Sequence, residues 1–173
     1  DRHLNRLSKS LIDLQIDKPF TNTNSLKIII YHLLKLNNVD DGFLYLQITR
    51  GTAKRNHLFP RNIKPNVVIF TFSKGGLDKI KKGVNVGLTK DQRWMRCDIK
   101  SISLLANVLD KQRGFEKGFF EVWQLRKNLI TEGTTSNAFI VKKNNHIYTH
   151  PKNNLILGGV TRDCVIEIAS KNN

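Results

Sequence analysis

Arg93-Trp94-Met95-Arg96-Cys97-Asp98-Ile99-Lys100 is the stretch that decides the fold, and Glu132-Gly133-Thr134-Thr135-Ser136-Asn137 lies downstream of it. The first segment reads as a strand through Trp94 to Asp98. A helix is expected from Ser101 to about Glu116, with Leu105, Val108 and Leu109 on one face. Lys100 then sits at a strand-to-helix junction. Most lysines are solvated surface charges. One that packed neighbours hold and partly desolvate loses proton affinity and becomes nucleophilic. Thr131-Glu132-Gly133 reads as a turn that presents a carboxylate.

Working outward, Leu26, Ile29, Ile30, Leu33 and Leu34 recur at the spacing of an amphipathic helix, with Asn24 as its N-cap and Asn37-Asn38 at its end. Phe43 to Thr49 reads as a strand broken at Arg50-Gly51-Thr52, and the β-branched and aromatic run Val67 to Phe72 as another. The paired glycines of Ser73-Lys74-Gly75-Gly76 mark a linker. They divide the chain into a small N-terminal α/β domain, residues 1–74, and a larger domain, residues 75–173. Further strands are expected at Gly83 to Leu88, Glu121 to Leu125, Asn137 to Val141 and His146 to Tyr148. A last helix should begin near Thr161. The fold class is α+β, in two parts.

The 173 residues carry 29 Lys+Arg against 14 Asp+Glu, a net charge of +15. Such an excess raises the possibility of a nucleic-acid or anionic-membrane partner. It is spread over both halves of the chain, with no basic run alternating with aromatics, so no specific nucleic-acid partner is expected. No stretch approaches the roughly 20 apolar residues that cross a bilayer. Cys97 and Cys164 give no reason to propose a disulfide, and free thiols in a reducing cytoplasm are the default. The histidines do not cluster with cysteines or carboxylates at metal spacing, so no metal is expected.

Two further segments complete the pattern: Tyr45-Leu46-Gln47-Ile48-Thr49-Arg50-Gly51-Thr52-Ala53-Lys54-Arg55-Asn56-His57, and the run from Tyr148 through Leu157-Gly158-Gly159-Val160-Thr161 to Asp163. In this order the four segments resemble the pyridoxal-phosphate aminotransferases of fold type IV. Within these the nearer match is the D-amino acid (D-alanine) aminotransferases. The resemblance runs from His3 to Ala169 and implies a two-domain fold that extends past both ends of this chain, which is therefore read as partial, truncated at both ends.

The resemblance implies that Lys100 is the catalytic lysine, which forms an imine with pyridoxal 5′-phosphate and then carries the proton of transamination. Glu132 matches the carboxylate held against the pyridine nitrogen. A carboxylate there keeps the nitrogen protonated and the ring an electron sink. Gly158-Gly159 at a helix start suits a phosphate, because unpaired N–H groups and the helix dipole favour an anion there. Val160 and Thr161 match the family's phosphate-binding pair. Arg6 matches its phosphate arginine, although Asn5 stands where many members have Asp. Leu157 matches a residue packed near the cofactor ring. Arg55 and His57 match the substrate-carboxylate trap that the family's D-amino acid enzymes donate from the neighbouring subunit of a homodimer. Thr134, Thr135 and Ser136 are candidate donors to cofactor or substrate oxygens. The function implied is transfer of the amino group of a D-amino acid such as D-alanine to a 2-oxo acid such as 2-oxoglutarate. The alternatives are a catalytically inactive remnant of such an enzyme, a branched-chain aminotransferase-like class IV enzyme and, more distantly, a basic nucleic-acid-binding module.

Overall fold

Asn22 opens the best-formed helix of the N-terminal half, and it does so by chemistry that the spacing of apolar residues alone misplaces. In the computed structural model, which describes residues 1–73 and 82–172, α1 spans Arg2–Asp13 and α2 spans Thr23–Leu36. Asn22, not Asn24, is the N-cap. Its backbone is extended and its side chain accepts from Ser25 N at 3.0 Å, while Ser25 Oγ faces Asn22 N. Ser25 therefore decides between the two asparagines, because a capping box needs a polar partner at the third helical position. Asn37 ends α2 as expected.

The chain divides into two compact units, one holding Asp1 and His3–Leu77, the other Arg2 and Asp78–Asn173. The expected linker and the 74/75 boundary fall on residues 74–81, outside the described residues. In the first unit β1 (Gly42–Thr49) pairs antiparallel with β2 (Asn66–Ser73), from Gly42 opposite Ser73 to Thr49 opposite Asn66. Cross-strand aromatics face each other, with the Tyr45 and Phe70 rings stacked 4.8 Å apart. The strand breaks at Gly51 because φ is +118° and a Cβ would collide with Ile63 Cγ2. Arg50 donates to the Leu14 and Gln15 carbonyls just past α1, at 2.5 and 2.6 Å, and lies over the Phe59 ring. Leu11 and Leu26 form the buried apolar core of this unit.

The second unit is built on β3 (Val86–Lys90), β4 (Glu121–Arg126) and β5 (Leu129–Gly133), in the order β3-β4-β5. β3 and β4 are parallel, so a crossover must join them. The loop 91–104 and α3 (Leu105–Glu116) supply it. A short hairpin, β6 (Ile140–Val141) and β7 (Ile147–Tyr148), precedes α4 (Val160–Lys171). Val122, Ala138 and Ile156 are buried, with Ile156 only 1 % exposed.

The fold departs from the sequence expectations at several elements. Trp94 to Asp98 is a loop rather than a strand: the Asp91 carboxylate accepts from Arg93 N at 3.0 Å and Ile99 N bonds back to Arg96 O, so the backbone turns instead of extending. Lys100 therefore stands in a loop. The helix starts at Leu105 rather than Ser101. Its buried positions are Asn107, Asp110 and Gly114, while Leu105, Val108 and Leu109 are exposed. It docks through polar groups: Asn107 Nδ2 donates to Thr134 O at 2.8 Å and Gln124 Nε2 donates to Asp110 Oδ2 at 3.2 Å. Gly114 permits the approach, because a Cβ there would collide with Val122 Cγ2. The strand expected at Gly83 to Leu88 runs Val86–Lys90, and that expected at Asn137 to Val141 shortens to two residues because Asn137 is bonded elsewhere. Residues 129–133 form a strand where the sequence suggests a turn.

Candidate active site

β5 carries its carboxylate inward by means of a bulge. Trp123 pairs with Gly133 and Leu125 with Ile130, so Thr131 and Glu132 together oppose Gln124. Alternation lapses, and Thr131, Glu132 and Gly133 are all buried in succession. Glu132 is thus a strand residue, 5 % exposed.

Its two oxygens have named partners. Oε1 is ion-paired with Arg93 Nη1; Oε2 accepts from Asn137 Nδ2 at 2.9 Å and from Leu157 N at 3.0 Å. A carboxylate offers about four lone-pair positions, so these donors leave room for another. Burial pushes the Glu132 carboxyl above the usual carboxylate range, and the Arg93 guanidinium limits that rise.

Arg93 is itself clamped. Its Nε and Nη2 each lie 3.0 Å from Asp91, and Nη2 also reaches Thr131 Oγ1 at 3.2 Å and Leu155 O at 3.0 Å. Burial opposes its charge, but the bonds to Asp91 and the charge of Glu132 outweigh it and hold the proton more firmly than on an ordinary guanidinium. The Asp91 side chain is fully buried, which alone would favour its neutral form. Arg93 and Arg126 more than compensate and bring its pKa down to about 2. Two carboxylates and two guanidiniums balance, as a buried ionic cluster must.

This cluster stitches the loop carrying Lys100 to the segment before α4. Cys97 N donates to Asn154 O at 2.9 Å, Asn154 Nδ2 to Met95 O at 2.7 Å, and Arg93 to Leu155 O. Ile99 is buried at 6 % and Cys97 at 9 %, and burial pushes the Cys97 thiol up. Lys100, immediately after this anchor, is exposed. The loop is therefore fixed where its lysine is accessible.

Glu132 also connects to the start of α4. Asn137 Nδ2 spans Glu132 and Leu157 O, both at 2.9 Å, and a Cβ on Gly159 would collide with Asn137 Oδ1. Gly159, the N-cap, has no side chain with which to cap α4, so Val160 and Thr161 begin a helix without a side-chain cap among the described residues. Arg162, 6 % exposed, donates to His150 O at 2.8 Å, and its buried Nε has no partner among the described residues. Glu132, Leu157, Val160 and Thr161 are thereby gathered in one region, with Lys100 on the loop stitched to it.

The hydroxyls of Thr134, Thr135 and Ser136 are not aimed at open space. All three bond Glu121, Thr135 and Ser136 at 2.8 Å each. Burial of Glu121 opposes its charge, yet these hydroxyls and Val122 N hold its carboxyl down at about 2. In the first unit, Arg6 is half-buried in α1 with Nη2 3.3 Å from His3 Nδ1, and Arg55 and His57 are exposed in the 50–65 loop. An apolar groove of about 400 Å³ between α2 and β2, lined by Phe20, Leu26, Leu33 and Ile69 among others, contains none of the expected site residues. Among the described residues no group of His, Cys, Asp and Glu is arranged to hold a metal, and no helix is long and apolar enough to cross a membrane.

Arg93, Asp91, Glu121 and Asn137 were not singled out from sequence. The spacing of Asp91 and Arg93, a side-chain acceptor two residues before a backbone donor, was the available signal.

The sequence profile of the class IV aminotransferases matches residues 1–173. D-alanine aminotransferase of Bacillus licheniformis is 42 % identical over 173 residues, which is 99 % of this chain and 60 % of that protein. Its counterpart from Staphylococcus haemolyticus is 41 % identical over 167 residues, 94 % of this chain and 58 % of that one. The chain thus spans about 60 % of the length of the curated relatives it matches. Among solved structures, the T.th. branched-chain amino acid aminotransferase with pyridoxamine 5′-phosphate superposes with a TM-score of 0.87 at 23 % identity, covering 99 % of this chain and 58 % of that one. The Escherichia coli branched-chain enzyme gives 0.84 at 21 %, covering 98 % and 58 %. At these identities the solved structures speak for the α+β fold alone. A profile matched from end to end and two relatives above 40 % identity establish that this chain belongs to the class IV aminotransferase family.

Proposed function

We propose that the chain carries the pyridoxal-phosphate half-site of a D-amino acid aminotransferase, which moves the amino group of D-alanine or a similar D-amino acid to a 2-oxo acid such as 2-oxoglutarate. The observation that carries this is Glu132: buried, ion-paired with Arg93, and left with an accepting position beside an uncapped helix start. The residues fit the cofactor. Glu132 suits a protonated ring nitrogen, and the N–H groups of Val160 and Thr161 suit a phosphate that closely approaches Gly159. Relatives named D-alanine aminotransferase supply the substrate class.

When bound, the cofactor supplies an aldehyde and a ring able to take up an electron pair. The chain does the rest. Lys100 would hold the cofactor through its Nζ, and the same amine would accept the proton that leaves the substrate Cα. Glu132 would hold a proton at the ring nitrogen, and Leu157 would pack beside the ring. Val160 and Thr161 would hold the phosphate, for which the family resemblance also assigns Arg6. Arg55 and His57, exposed on their loop, take the substrate carboxylate of a neighbouring subunit in a homodimer. Free Cys97 and Cys164 suit a reducing compartment, the cytoplasm.

Borohydride reduction in the presence of pyridoxal 5′-phosphate, followed by peptide mapping, tests the site. Label on Lys100 is expected; label on another lysine with Lys100 unmodified overturns the assignment. Pyruvate formation from D-alanine and 2-oxoglutarate tests the reaction, comparing this chain with one extended by family sequence. Activity is expected only in the extended protein, because catalysis needs all its parts held in register. No turnover of any D-amino acid by the extended protein would refute the substrate class.

A further inference from the structure

Glu132 is held by a guanidinium that a second carboxylate holds in turn. Asp91, with no side-chain exposure, receives Arg93 through both Nε and Nη2, which leaves Nη1 for Glu132. We propose that Arg93 is the positioning residue of the cofactor site, setting both the direction and the charge of Glu132 through a fork that Asp91 fixes. Its catalytic meaning rests on the proposed function, whereas the dependence of Glu132 on Arg93 belongs to the cofactor-free chain.

The geometry demands an arginine. One planar group bridges Asp91, Glu132, Thr131 Oγ1 and Leu155 O at once, which a lysine ammonium on the same stem cannot do. Arg93 thus ties three segments together at the Glu132 carboxylate: the loop after β3, β5, and the run before α4. Among the described residues, the groups facing Glu132 are few. Arg93 is the charged partner in contact, and Asp91 adds an opposing negative charge behind it. Arg126 of β4 pairs with Asp91 rather than with Glu132, and Cys97 lies near enough to feel both carboxylates. Asn137 and Leu157 N are neutral donors. Removing the guanidinium leaves a buried carboxylate with an anion nearby and two neutral donors, a setting that favours the protonated acid. A protonated Glu132 no longer keeps the ring nitrogen charged.

The test is a titration of Glu132 in chains carrying 13C at the glutamate carboxyls, the signal being identified by its loss in E132Q. In R93M the Glu132 midpoint should rise by about one pH unit or more. R93K, which keeps the charge and loses the fork, should raise it by less. Pyridoxal 5′-phosphate affinity at neutral pH should fall roughly tenfold in R93M, and the gap to wild type should narrow as pH rises through the displaced midpoint. If R93M does not fold, R93K decides by the same titration. An unmoved Glu132 midpoint in whichever variants fold overturns the proposal, as does a loss of affinity that is uniform across pH. A displaced midpoint in a chain whose wild type binds no pyridoxal 5′-phosphate leaves the role of Arg93 standing and removes the proposed function instead.

Discussion

Glu121 and Glu132 sit on adjacent strands of one sheet, nearly equally buried at 6 % and 5 %, yet their carboxyls are displaced in opposite directions. The difference lies in their donors. Among the described residues Glu121 receives six, from Lys111, Val122 N, Thr134, Thr135 N, the Thr135 hydroxyl and Ser136. Among the same described residues Glu132 receives three, from Arg93, Asn137 and Leu157 N. Burial opposes both charges and weighs more on Glu132, which Asp91 also opposes, while the larger set of donors on Glu121 keeps that carboxylate charged. Glu121 is saturated. Glu132 has fewer donors, and under the proposed function its remaining accepting capacity would serve the cofactor.

The largest expected effect tests this division directly. Glu121→Gln turns an acceptor of six donors into a group that presents N–H to several of them. It should cost roughly 3 kcal/mol of unfolding free energy, in line with a carboxyl held at about 2 instead of 4.5. Glu132→Gln should cost less, about 2 kcal/mol, since it unbalances the cluster with Arg93 and Arg126 but also relieves a buried charge that its surroundings only partly stabilise. Denaturant midpoints measure both. Equal losses would break the comparison.

The same division was only half legible in the sequence. Lys100, Glu132, Leu157, Val160 and Thr161 stand in local runs whose order could be read directly, and the structure gathers the last four. Arg93 and Asp91 could not be paired with Glu132 in that way, because their partners lie 39 and 40 residues away on β5 and only the fold joins them. Strand β5 itself was hidden: a bulge buries three consecutive residues, two of them polar, and removes the alternation by which strands are recognised. Trp94 to Asp98 misled in the opposite sense, since its aromatic content suggests a strand while Asp91 captures the backbone as a turn. On α3 the apolar stripe suggests the buried face, but Asn107, Asp110 and Gly114 make the packing contacts. The strands β1, β2 and β4 and the helix α2 were legible because local propensity and spacing specify them, even though Phe70, Phe72 and Ile29 stay exposed.

Acid should separate the two glutamates by sign. Glu121 and Asp91 have folded pKa values of about 2, below their ordinary 4.5 and 3.8, so the stability they contribute is present above those ordinary values and is lost as pH falls towards about 2. Glu132 is raised, so it binds its proton more readily folded than unfolded. Stability gained from it on acidification is lost again as pH rises through its folded pKa. Thermal midpoints measured from neutral pH down to about 2 should therefore fall less steeply in Glu121→Gln than in wild type. In Glu132→Gln they should begin to fall earlier. Parallel curves for the three proteins would show that the donors do not control ionisation.

A smaller perturbation touches only the Glu132 side. Gly159→Ala drives a methyl into Asn137 Oδ1, so Asn137 must shift away from Glu132 and Leu157 O. Overpacking of this kind costs about 1 to 3 kcal/mol. Pyridoxal 5′-phosphate affinity should fall by a larger factor than stability alone explains, because the helix start and the carboxylate move together. A variant that loses stability but keeps wild-type affinity would separate Gly159 from the site.

The smallest expected effect removes one donor from the saturated glutamate. Thr135→Val deletes a hydroxyl that bonds Glu121 Oε2 at 2.8 Å while preserving shape. Two donors remain on that oxygen, Thr135 N at 3.2 Å and the Ser136 hydroxyl at 2.8 Å, and the other oxygen keeps all of its own. No buried acceptor is left bare, so the loss should stay near 1 kcal/mol or below, about the net worth of one neutral hydrogen bond. Cofactor affinity should not change, because Thr135 faces Glu121 and has no bond to Glu132. If Thr135→Val instead weakened pyridoxal 5′-phosphate binding about tenfold with stability intact, its hydroxyl would be turning from Glu121 to the ligand, and the separation of a structural from a functional carboxylate would fail at that residue.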